Sequence, residues 1–395
     1  MKELNFEKYD AVVIGAGFAG SVVARQLANR GKNVVIIDKR SHIGGNMYEM
    51  YKKNGIRVHL YGPHIFHTNN QQVFDYLKEF SEFYKYEHKV LGKIDEKLVP
   101  IPFNFTSLEM LFSENDAVEI KNALLENFPK KKKVSILDLK NHQSLIIKKF
   151  GEYVFEKVFV HYTAKQWGVP VECVDTSVIN RVPVVLGYDD RYFDDSIQFM
   201  PLNGFTDLFE RMLDHSNIKI VLNKNALDIV KLDIVNNNIL INDKVYSGTC
   251  VFTGAVDELL NFKYGALPYR SLNLIFEDYD TDFYQTNSVV NYPNEEEFTR
   301  ITEFKYLTKQ NLQNKTTILK EYPLKFDERM AQKRDPYYPI TNQENNEKYN
   351  LYKDHIDKIS NLYLVGRLAE YKYYNMDSVI DQALMLCDQI ENNKK

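Results

Sequence analysis

Three glycines near the start of the chain, Gly15, Gly17 and Gly20, follow a short apolar run and precede a helix-like stretch. In this order, the first glycine allows a tight turn, the second lets the backbone approach a phosphate, and the third lets the helix pack on the strand. The free N–H groups at the helix start, around Phe18, attract phosphates. A second apolar run ends at Asp38, whose carboxylate can accept hydrogen bonds from ribose hydroxyls. The spacing therefore predicts a dinucleotide site; a purely structural strand–turn–helix is the alternative.

The residues after Asp38 indicate which dinucleotide is bound. Lys39 and Arg40 are followed by a Gly-Gly-Asn sequence that ends with Gly45 and Asn46. Glycines at these positions permit close backbone contact with a second stretch of the same ligand. An Arg followed by a Gly-Gly pair is similar to the large FAD-binding family that includes glutathione reductase and amine oxidases. We therefore predict FAD rather than NAD.

A strand-like run near the C-terminus, residues 361–365, leads directly into a Gly-Arg pair, and a helix with one apolar face is expected after it. The positive end of that helix dipole would stabilise negative charge on the flavin pyrimidine ring. The predicted cofactor contacts of this element are Gly366, Arg367, Asn375, Met376 and Val379. A structural helix that closes the sheet is the alternative, and the arginine could form a surface ion pair instead of a pyrophosphate contact.

Three histidines, His59, His64 and His67, lie in and beside the segment YGPHIFHT. A metal site is not predicted, because no carboxylate or cysteine partner has suitable spacing. A histidine that lines the flavin is expected instead. A hydrogen-bonded core histidine is the alternative.

Aromatic residues and isolated arginines suggest a second ligand. Tyr162 and Trp167 are close enough in sequence to stack a nucleobase, although core packing explains their spacing equally well. Arg181 and Arg300 stand among apolar neighbours on expected strands, where a buried guanidinium needs an anion such as a diphosphate. The acidic segment 189–195 is interpreted as a solvated turn rather than a cation site.

Composition excludes several classes of protein. The chain has 395 residues, of which 44% are hydrophobic and 26% charged, and its net charge is −4. These values are typical of a globular protein without general affinity for nucleic acid or anionic membranes. No signal peptide or membrane span is predicted. Cys173, Cys250 and Cys387 have no metal-type spacing and predict a reducing, cytoplasmic location.

The order of apolar patterns predicts an α/β fold with a discontinuous Rossmann-like FAD-binding domain, an inserted α-helical bundle and a twisted antiparallel β-sheet domain. Residues 73–168 show helical periodicity, residues 181–202 and 263–340 are strand-rich, and strands at 218–222 and 249–253 are expected to return to the first sheet. The predicted domains are 1–79, 203–262 and 351–395 for FAD binding, 80–176 for the helical part, and 177–202 and 263–350 for the antiparallel sheet that binds substrate.

Nine short strings along nearly the whole chain share one resemblance. They are RSHIGGN, YGPHIFHT, YTAKQWG, INRVPV, DDRYF, FTRITE, KEYP, PYYP and GRLAEYKYYNMD. In this order they resemble the bacterial UDP-galactopyranose mutase family. The resemblance implies a flavin-dependent isomerase that interconverts the pyranose and furanose forms of a nucleotide-bound sugar, supplies galactofuranose for polysaccharide synthesis, and forms a homodimer.

The resemblance also implies roles for individual residues. Catalytic roles are implied for Arg181, Arg300 and His64, with His64 beside the flavin and the two arginines on the diphosphate. Uracil stacking is implied for Tyr162, with Phe159, Thr163 and Trp167 nearby. Further substrate contacts are implied for Tyr192, Asn291, Tyr322, Tyr373 and Asn375, the tyrosines through their hydroxyls.

The implied reaction needs reduced FAD, whose N5 attacks the anomeric carbon, expels UDP and forms a covalent flavin–sugar adduct before the ring closes in its other form. No second G-x-G-x-x-G is present, so NAD(P)H is expected only as a transient reductant. Two positions depart from the family pattern: Asn375 replaces Asp, and His161 replaces Gly. They leave the sugar open.

Several alternatives remain at this point. UDP-galactose is the default substrate, and UDP-N-acetylgalactosamine, UDP-arabinose and dTDP-fucose are the other candidates for the same chemistry. An FAD-dependent oxidoreductase of the amine-oxidase type is a second class. A binding protein of the GDP-dissociation-inhibitor kind, which shares the fold without working flavin, is a third.

Overall fold

The computed structural model describes residues 5–162, 165, 182–324, 326, 327 and 336–392. The strands, numbered in chain order, are β1 Ala11–Ile14, β2 Val34–Ile37, β3 Glu49–Tyr51, β4 Arg57–His59, β5 Phe66–Thr68, β6 Phe83–Lys85, β7 Val90–Ile94, β8 Lys97–Ile101, β9 Lys133–Val134, β10 Val184–Val185, β11 Ile197–Pro201, β12 Ile218–Val221, β13 Val230–Asp233, β14 Asn238–Ile241, β15 Lys244–Tyr246, β16 Thr249–Phe252, β17 Tyr269–Tyr279, β18 Val289–Asn291, β19 Arg300–Glu303, β20 Thr316–Leu324, β21 Tyr338–Pro339 and β22 Leu362–Leu364.

The α-helices described in the structure connect and cover these strands. They are α1 Phe18–Asn29, α2 Gln71–Lys78, α3 Phe105–Leu111, α4 Glu114–Asn127, α5 Ile136–Lys140, α6 Leu145–Val154, α7 Phe205–Leu213, α8 Val256–Leu259, α9 Phe304–Thr308, α10 Gln343–Ile356 and α11 Met376–Glu391. A π-helical segment, Phe155–Val160, continues α6. Within the described ranges, no helix has the length and apolar character needed to cross a membrane.

A parallel five-stranded sheet in the order β12-β2-β1-β16-β22 forms the nucleotide-binding unit. Its strands β1 and β2 are buried on both faces, which explains their continuous apolar sequences. On one face, Val13 and Ile36 share a core with α1, α7 and α11. On the other, Val12 and Val35 pack in a second core with β13 and β14. The expected return of β12 and β16 to the first sheet is confirmed.

A seven-stranded sheet in the order β21-β17-β20-β19-β18-β7-β8 forms the second unit. Its strands pair antiparallel, except for the parallel pair of β18 and β7. Helices α3 to α6 form a third unit around buried residues such as Leu124, Ile147 and Phe150. The predicted fold class, a Rossmann-like nucleotide-binding domain with a helical bundle and an antiparallel sheet, is therefore confirmed.

The prediction of a helical pattern over residues 73–168 is wrong between residues 83 and 101, where β6, β7 and β8 lie, and again at β9. The strands β7 and β8 are joined by Asp95 and Glu96, both with positive φ (46° and 63°), as a two-residue hairpin turn requires. Neither residue is the glycine or asparagine that usually marks such a turn. On its other edge, β7 pairs with β18, which is far away in sequence, so local periodicity could not reveal this pairing. We propose to assign β7 and β8 to the seven-stranded sheet unit, whereas β6 pairs with β11 in a separate three-stranded sheet.

Candidate active site

Two glycine-containing turns face each other at the C-terminal end of β1. Gly15 has φ +105°, and an added Cβ there would lie 2.0 Å from Thr253 Oγ1, so no other residue fits. Gly17 and Gly45 approach so closely that a Cβ on Gly45 would lie 2.9 Å from the Cα of Gly17. Because these glycines have no side chains, a dinucleotide pyrophosphate can approach the backbone of both turns.

Helix α1 begins at this turn, with Gly17 as its N-cap. Gly20 lies one turn further on, where a Cβ would come within 1.9 Å of the Gly15 carbonyl oxygen. This glycine therefore sets the close packing of helix on turn and does not line the cavity beside it. Phe18 does line that cavity, at the start of the helix.

An elongated cavity runs from this turn towards α11. The predicted cofactor residues that line it are Gly15, Gly17, Phe18, Asp38, Lys39, Gly45, Asn46, His64, Gly366, Arg367, Met376 and Val379. Of the cofactor residues predicted from sequence, Gly20 and Asn375 are not among those lining it. Sequence analysis missed Asn225, Ala226, Leu227 and Glu258, which come from a short 3₁₀ turn and the start of α8. The facing glycine turns and the start of α11 at Met376 fit FAD.

Asp38 lies at the end of β2 as predicted, but its carboxylate already has protein partners. The N–H of Ala16 donates to Asp38 Oδ2 (2.8 Å), and the N–H of Arg40 donates to Oδ1 (2.8 Å). Each carboxylate oxygen accepts more than one hydrogen bond, so a ribose contact remains available. The first task of Asp38 is to hold the glycine turn in place.

Arg367 is fixed by backbone and aromatic contacts. Its Nε donates to the carbonyl of Tyr374 (2.9 Å), and its guanidinium lies 4.3 Å from the ring centre of Tyr338. Among the described residues, Arg367 has no carboxylate within ion-pair distance. The alternative of a surface ion pair is therefore not what the structure shows. Its charge faces the cavity.

His64 lines the same cavity, close to Arg367. Burial lowers the pKa of its imidazole to about 3, and His59 and Arg367 act in the same direction. His64 Nδ1 lies 2.8 Å from the Gly62 carbonyl oxygen and must donate to it, which leaves Nε2 unprotonated. The histidine is thus neutral at physiological pH. Within the described part of the chain, no group of three or more His, Cys, Asp or Glu side chains is arranged to hold a metal ion.

Arg300 lies beside this cavity on β19, directly opposite Asn291 on β18 and Glu321 on β20. Its Nε donates to Glu321 Oε1 at 2.6 Å. Burial disfavours the charge of Arg300, but Glu321 outweighs it and raises the pKa of the guanidinium. The anion that a buried arginine needs is thus supplied by the protein. The Arg300 side chain remains 30% exposed, so its other N–H groups are available to a diphosphate.

Aromatic residues surround Arg300. Tyr162 is half-buried, and burial raises the pKa of its phenol to about 12 despite the nearby charge of Arg300. Tyr192 packs edge-on against His88, with ring centres 5.8 Å apart. Phe159, by contrast, is buried in the core of the helical unit. The structure therefore brings Tyr162 and Tyr192 near Arg300, whereas Phe159 belongs to the core of the helical unit.

The implied role of Tyr322 does not fit its position. Successive side chains of a strand point to opposite faces, and Glu321 points towards Arg300. Tyr322 therefore lies on the other face, with Phe298 (ring centres 5.9 Å apart). Sequence alone did not reveal this because KEYP contains the acid and the tyrosine side by side.

Tyr338 occupies the place that had been expected for Tyr322. Its ring stacks on Tyr373, with ring centres 4.7 Å apart, and Arg367 lies over its face. Burial alone would raise the pKa of Tyr338, but Arg367 and Arg300 together hold it below its ordinary value. Tyr338, Tyr373, Arg300 and Arg367 thus lie close together. With their neighbours they form what we call the arginine–tyrosine cluster, which also includes His88, Arg270 and Glu321.

Three predicted residues, Thr163, Trp167 and Arg181, lie outside the described residues. Asn375 is exposed and is the N-cap of α11, but its side chain does not cap the helix. It lies two residues from Tyr373 and next to the cavity residue Met376.

Known proteins are similar to this chain along almost its whole length. A sequence model of the UDP-galactopyranose mutase family matches residues 157–373, and one of NAD(P)-binding Rossmann-like domains matches residues 13–80. A UDP-galactopyranose mutase of Mycoplasma pneumoniae is 34% identical over 391 residues, which cover 98% of this chain and 97% of that protein. The chain belongs to the UDP-galactopyranose mutase family. It is therefore an enzyme of the isomerase class, and the resemblance found in its sequence is confirmed.

A second relative and a solved structure of the UDP-galactopyranose mutase family are also similar to this chain. A dTDP-fucopyranose mutase of Escherichia coli is also 34% identical, over 97% of this chain and 99% of that protein. The crystal structure of a reduced UDP-galactopyranose mutase has a TM-score of 0.73 at 16% identity, covering 97% of this chain and 94% of that one. The chain thus shares its fold with that mutase. The names of its relatives include two different sugars, galactose and fucose.

Within this mutase fold, four residues of the arginine–tyrosine cluster were missed from sequence. They are His88, Arg270, Glu321 and Tyr338. Arg270 is 5% exposed, and burial lowers the pKa of its guanidinium to about 10. It pairs across the sheet with Tyr338. Like Arg300, it is a lone arginine on a strand, so the sequence reasoning applied to Arg300 could also have identified it.

Proposed function

We propose that this enzyme interconverts UDP-galactopyranose and UDP-galactofuranose with FAD as cofactor. The observation that carries the proposal is the continuity of two sites through Arg367. This arginine lines the glycine-turn cavity and also lies over Tyr338 in the cluster around Arg300. A cofactor in the cavity and a nucleotide diphosphate on the cluster would therefore meet at one place.

Reduced FAD in the cavity would supply a nucleophile for the anomeric carbon of the sugar. The residues of the chain have other tasks. Arg300, oriented by Glu321, and Arg181 hold the diphosphate, so that UDP stays in position between its departure and its return. The hydroxyl groups of Tyr192, Tyr338 and Tyr373 donate hydrogen bonds to the same anion.

Two residues complete the proposed assignment. Tyr162, with Thr163 and Trp167, stacks the uracil, and its half-buried ring beside Arg300 supports this role. His64 remains neutral and adds no charge beside the cofactor. The protein thereby supplies orientation and electrostatics while the cofactor supplies the reacting atom.

A second sugar must be compared, because a dTDP-fucopyranose mutase is as similar to this chain as a UDP-galactopyranose mutase is. The test is a panel of UDP-galactose, UDP-N-acetylgalactosamine, UDP-arabinose and dTDP-fucose, incubated with dithionite-reduced enzyme and separated by chromatography. The proposal expects the furanose form of UDP-galactose as the main product. Conversion of dTDP-fucose alone would move the assignment to the other sugar, and net substrate oxidation would indicate an oxidoreductase.

The resemblance also supports three further proposals: a homodimer, reduction by transiently bound NAD(P)H, and a cytoplasmic location. The presence of a single G-x-G-x-x-G supports a transiently bound NAD(P)H. The three cysteines, which are far apart in sequence, support a cytoplasmic location. Light scattering of the purified protein tests the dimer. Bleaching of the flavin by NADPH or NADH without oxygen tests the reductant.

A further inference from the structure

A buried pair of residues that the proposed mechanism does not use lies directly behind His64. Glu49 and His59 are opposite each other in the hairpin of β3 and β4. His59 Nε2 lies 3.0 Å from Glu49 Oε1, and the backbone N–H of His64 donates to His59 Nδ1 (3.0 Å). We propose that Glu49 and His59 are positioning residues that fix His64 at the cofactor cavity.

The hydrogen bonds determine where the protons are. Because His59 Nδ1 accepts from the N–H of His64, a neutral His59 carries its proton on Nε2, facing the carboxylate. Glu49 Oε1 lies 3.0 Å from Nε2 without forming an aligned hydrogen bond, and its negative charge favours the Nε2–H tautomer that can hold the His64 backbone. The second polar contact of His64, from Nδ1 to the Gly62 carbonyl (2.8 Å), then fixes its ring. The remaining nitrogen, Nε2, is left as an acceptor.

The pair is held in a rigid, dry environment. His59 is fully buried between the rings of Phe205 and Phe304, whose centres are 5.9 Å and 5.7 Å away. Gly204 closes over Glu49 so tightly that a Cβ would lie 1.9 Å from Glu49 Oε2. A buried carboxylate is costly unless its partners are well placed, so its presence next to a ligand cavity indicates a function.

Glu49 has two further contacts that keep it in place. The hydroxyl of Thr206 accepts from the backbone N–H of Glu49 (2.8 Å), and Arg57 Nε lies 3.9 Å from Glu49 Oε2. Neither Glu49 nor His59 lines the cavity. Their effect on the reaction therefore passes through the position and tautomer of His64, and substrate affinity is not part of it.

The test compares His59→Leu, which removes the acceptor, with His59→Asn, whose side-chain oxygen replaces Nδ1. In His59→Leu, we expect kcat to fall about tenfold or more with KM within about twofold, and the flavin absorbance band to change shape. In His59→Asn, both should return towards wild type. Tyr352→Phe is the control, because it removes a buried hydroxyl in the other core. Wild-type kcat and spectrum in His59→Leu would overturn the proposal.

A second measurement covers the case in which His59→Leu does not fold. Nitrogen-15 NMR of the histidine rings in the wild-type protein should show His59 protonated on Nε2 and bare on Nδ1, with His64 the reverse. The opposite tautomers would overturn the proposal. The inference rests on FAD binding, but not on the sugar. Loss of the mutase assignment would leave the ring tautomers and the flavin spectrum as independent tests.

Discussion

Arg300 and Glu321 face each other on neighbouring strands of the antiparallel sheet, with Nε and Oε1 2.6 Å apart. Glu321 is only 2% exposed and Arg300 is 30% exposed. The carboxylate therefore depends on the arginine, while the arginine has N–H groups left for a ligand. Because of this asymmetry, we expect Arg300 to contribute to stability and also to bind the proposed diphosphate ligand.

Removal of Arg300 should reduce stability as well as activity. In Arg300→Ala, Glu321 stays buried without its partner, and we expect a loss on the order of 2 kcal/mol in unfolding free energy. The double variant Arg300→Ala/Glu321→Gln should recover part of it. Urea denaturation of the three proteins measures this difference. Equal stability of the single and double variants would show that the pair is not coupled.

Activity should fall further in Arg300→Ala than stability explains. We expect turnover of the best nucleotide sugar to drop about 100-fold or more at temperatures where the variant is folded. The control is Glu277→Gln, which breaks the ion pair of Lys320 and Glu277 (2.9 Å) on the other face of the same sheet. That variant should keep its activity.

Two tyrosines on the sheet unit, Tyr338 and Tyr322, should differ in their effect. In Tyr338→Phe, the loss of a hydroxyl that is proposed to donate to the diphosphate should lower kcat/KM about tenfold. In Tyr322→Phe, the hydroxyl removed is on the opposite face of β20, and kcat/KM should change less than about twofold. Steady-state kinetics on matched protein preparations decide between them. A larger effect at Tyr322 would contradict the strand orientation.

Within the glycine turn, Gly17 should be needed for tight FAD binding but not for folding. In Gly17→Ala, the added methyl group would meet only Gly45 Cα, at an ordinary 3.7 Å, but it would occupy the face offered to the pyrophosphate. We expect FAD affinity to fall about tenfold or more, roughly 1.4 kcal/mol. Gly187→Ala is the control, because no atom of the described residues lies within 4 Å of its Cβ. Normal flavin content in Gly17→Ala would place the cofactor elsewhere.

His88 should make the protein less stable in mild acid. Burial lowers its pKa to about 3, and Arg300 and His67 act in the same direction. The unfolded chain, with a histidine pKa near 6.5, binds the proton first, so the free energy of unfolding falls as the pH drops from 6.5 towards 3. Tyr192 and Gln198 also contact His88, and neither titrates in this range.

The variant His88→Phe tests this pH dependence. Between pH 7 and pH 5, it should lose less unfolding free energy than the wild type, by an amount on the order of 1 kcal/mol. Urea denaturation at several pH values gives both curves. Parallel curves would show that His88 is protonated equally in the folded and unfolded states.

The nucleotide-binding unit was predictable because its signals are local. The glycine spacing around Gly15, the apolar run of β1 and the helix after Met376 each depend on neighbouring residues. The strands β7 and β8 were not predictable in this way. The strand β7 pairs with β18 about two hundred residues away, and the hairpin turn between β7 and β8 consists of Asp95 and Glu96.

The arginine–tyrosine cluster was predictable only in part. Arg300 could be found as a lone arginine on a strand, but its partner Glu321 depends on the register of β19 and β20. That register also decides that Tyr322 faces away. Tyr338 depends on the pairing of β21 with β17. Such choices between faces need the sheet, and a sequence string does not contain them.

The proposed function requires one site that joins reduced FAD to a nucleotide sugar for a reaction without net oxidation. The most direct measurement incubates the purified enzyme with UDP-galactofuranose, once reduced by dithionite without oxygen and once oxidised in air, and follows UDP-galactopyranose by chromatography. The account predicts conversion by the reduced enzyme, which decays as the flavin re-oxidises, and none by the oxidised enzyme. Equal conversion by both forms, or none by either, would contradict it.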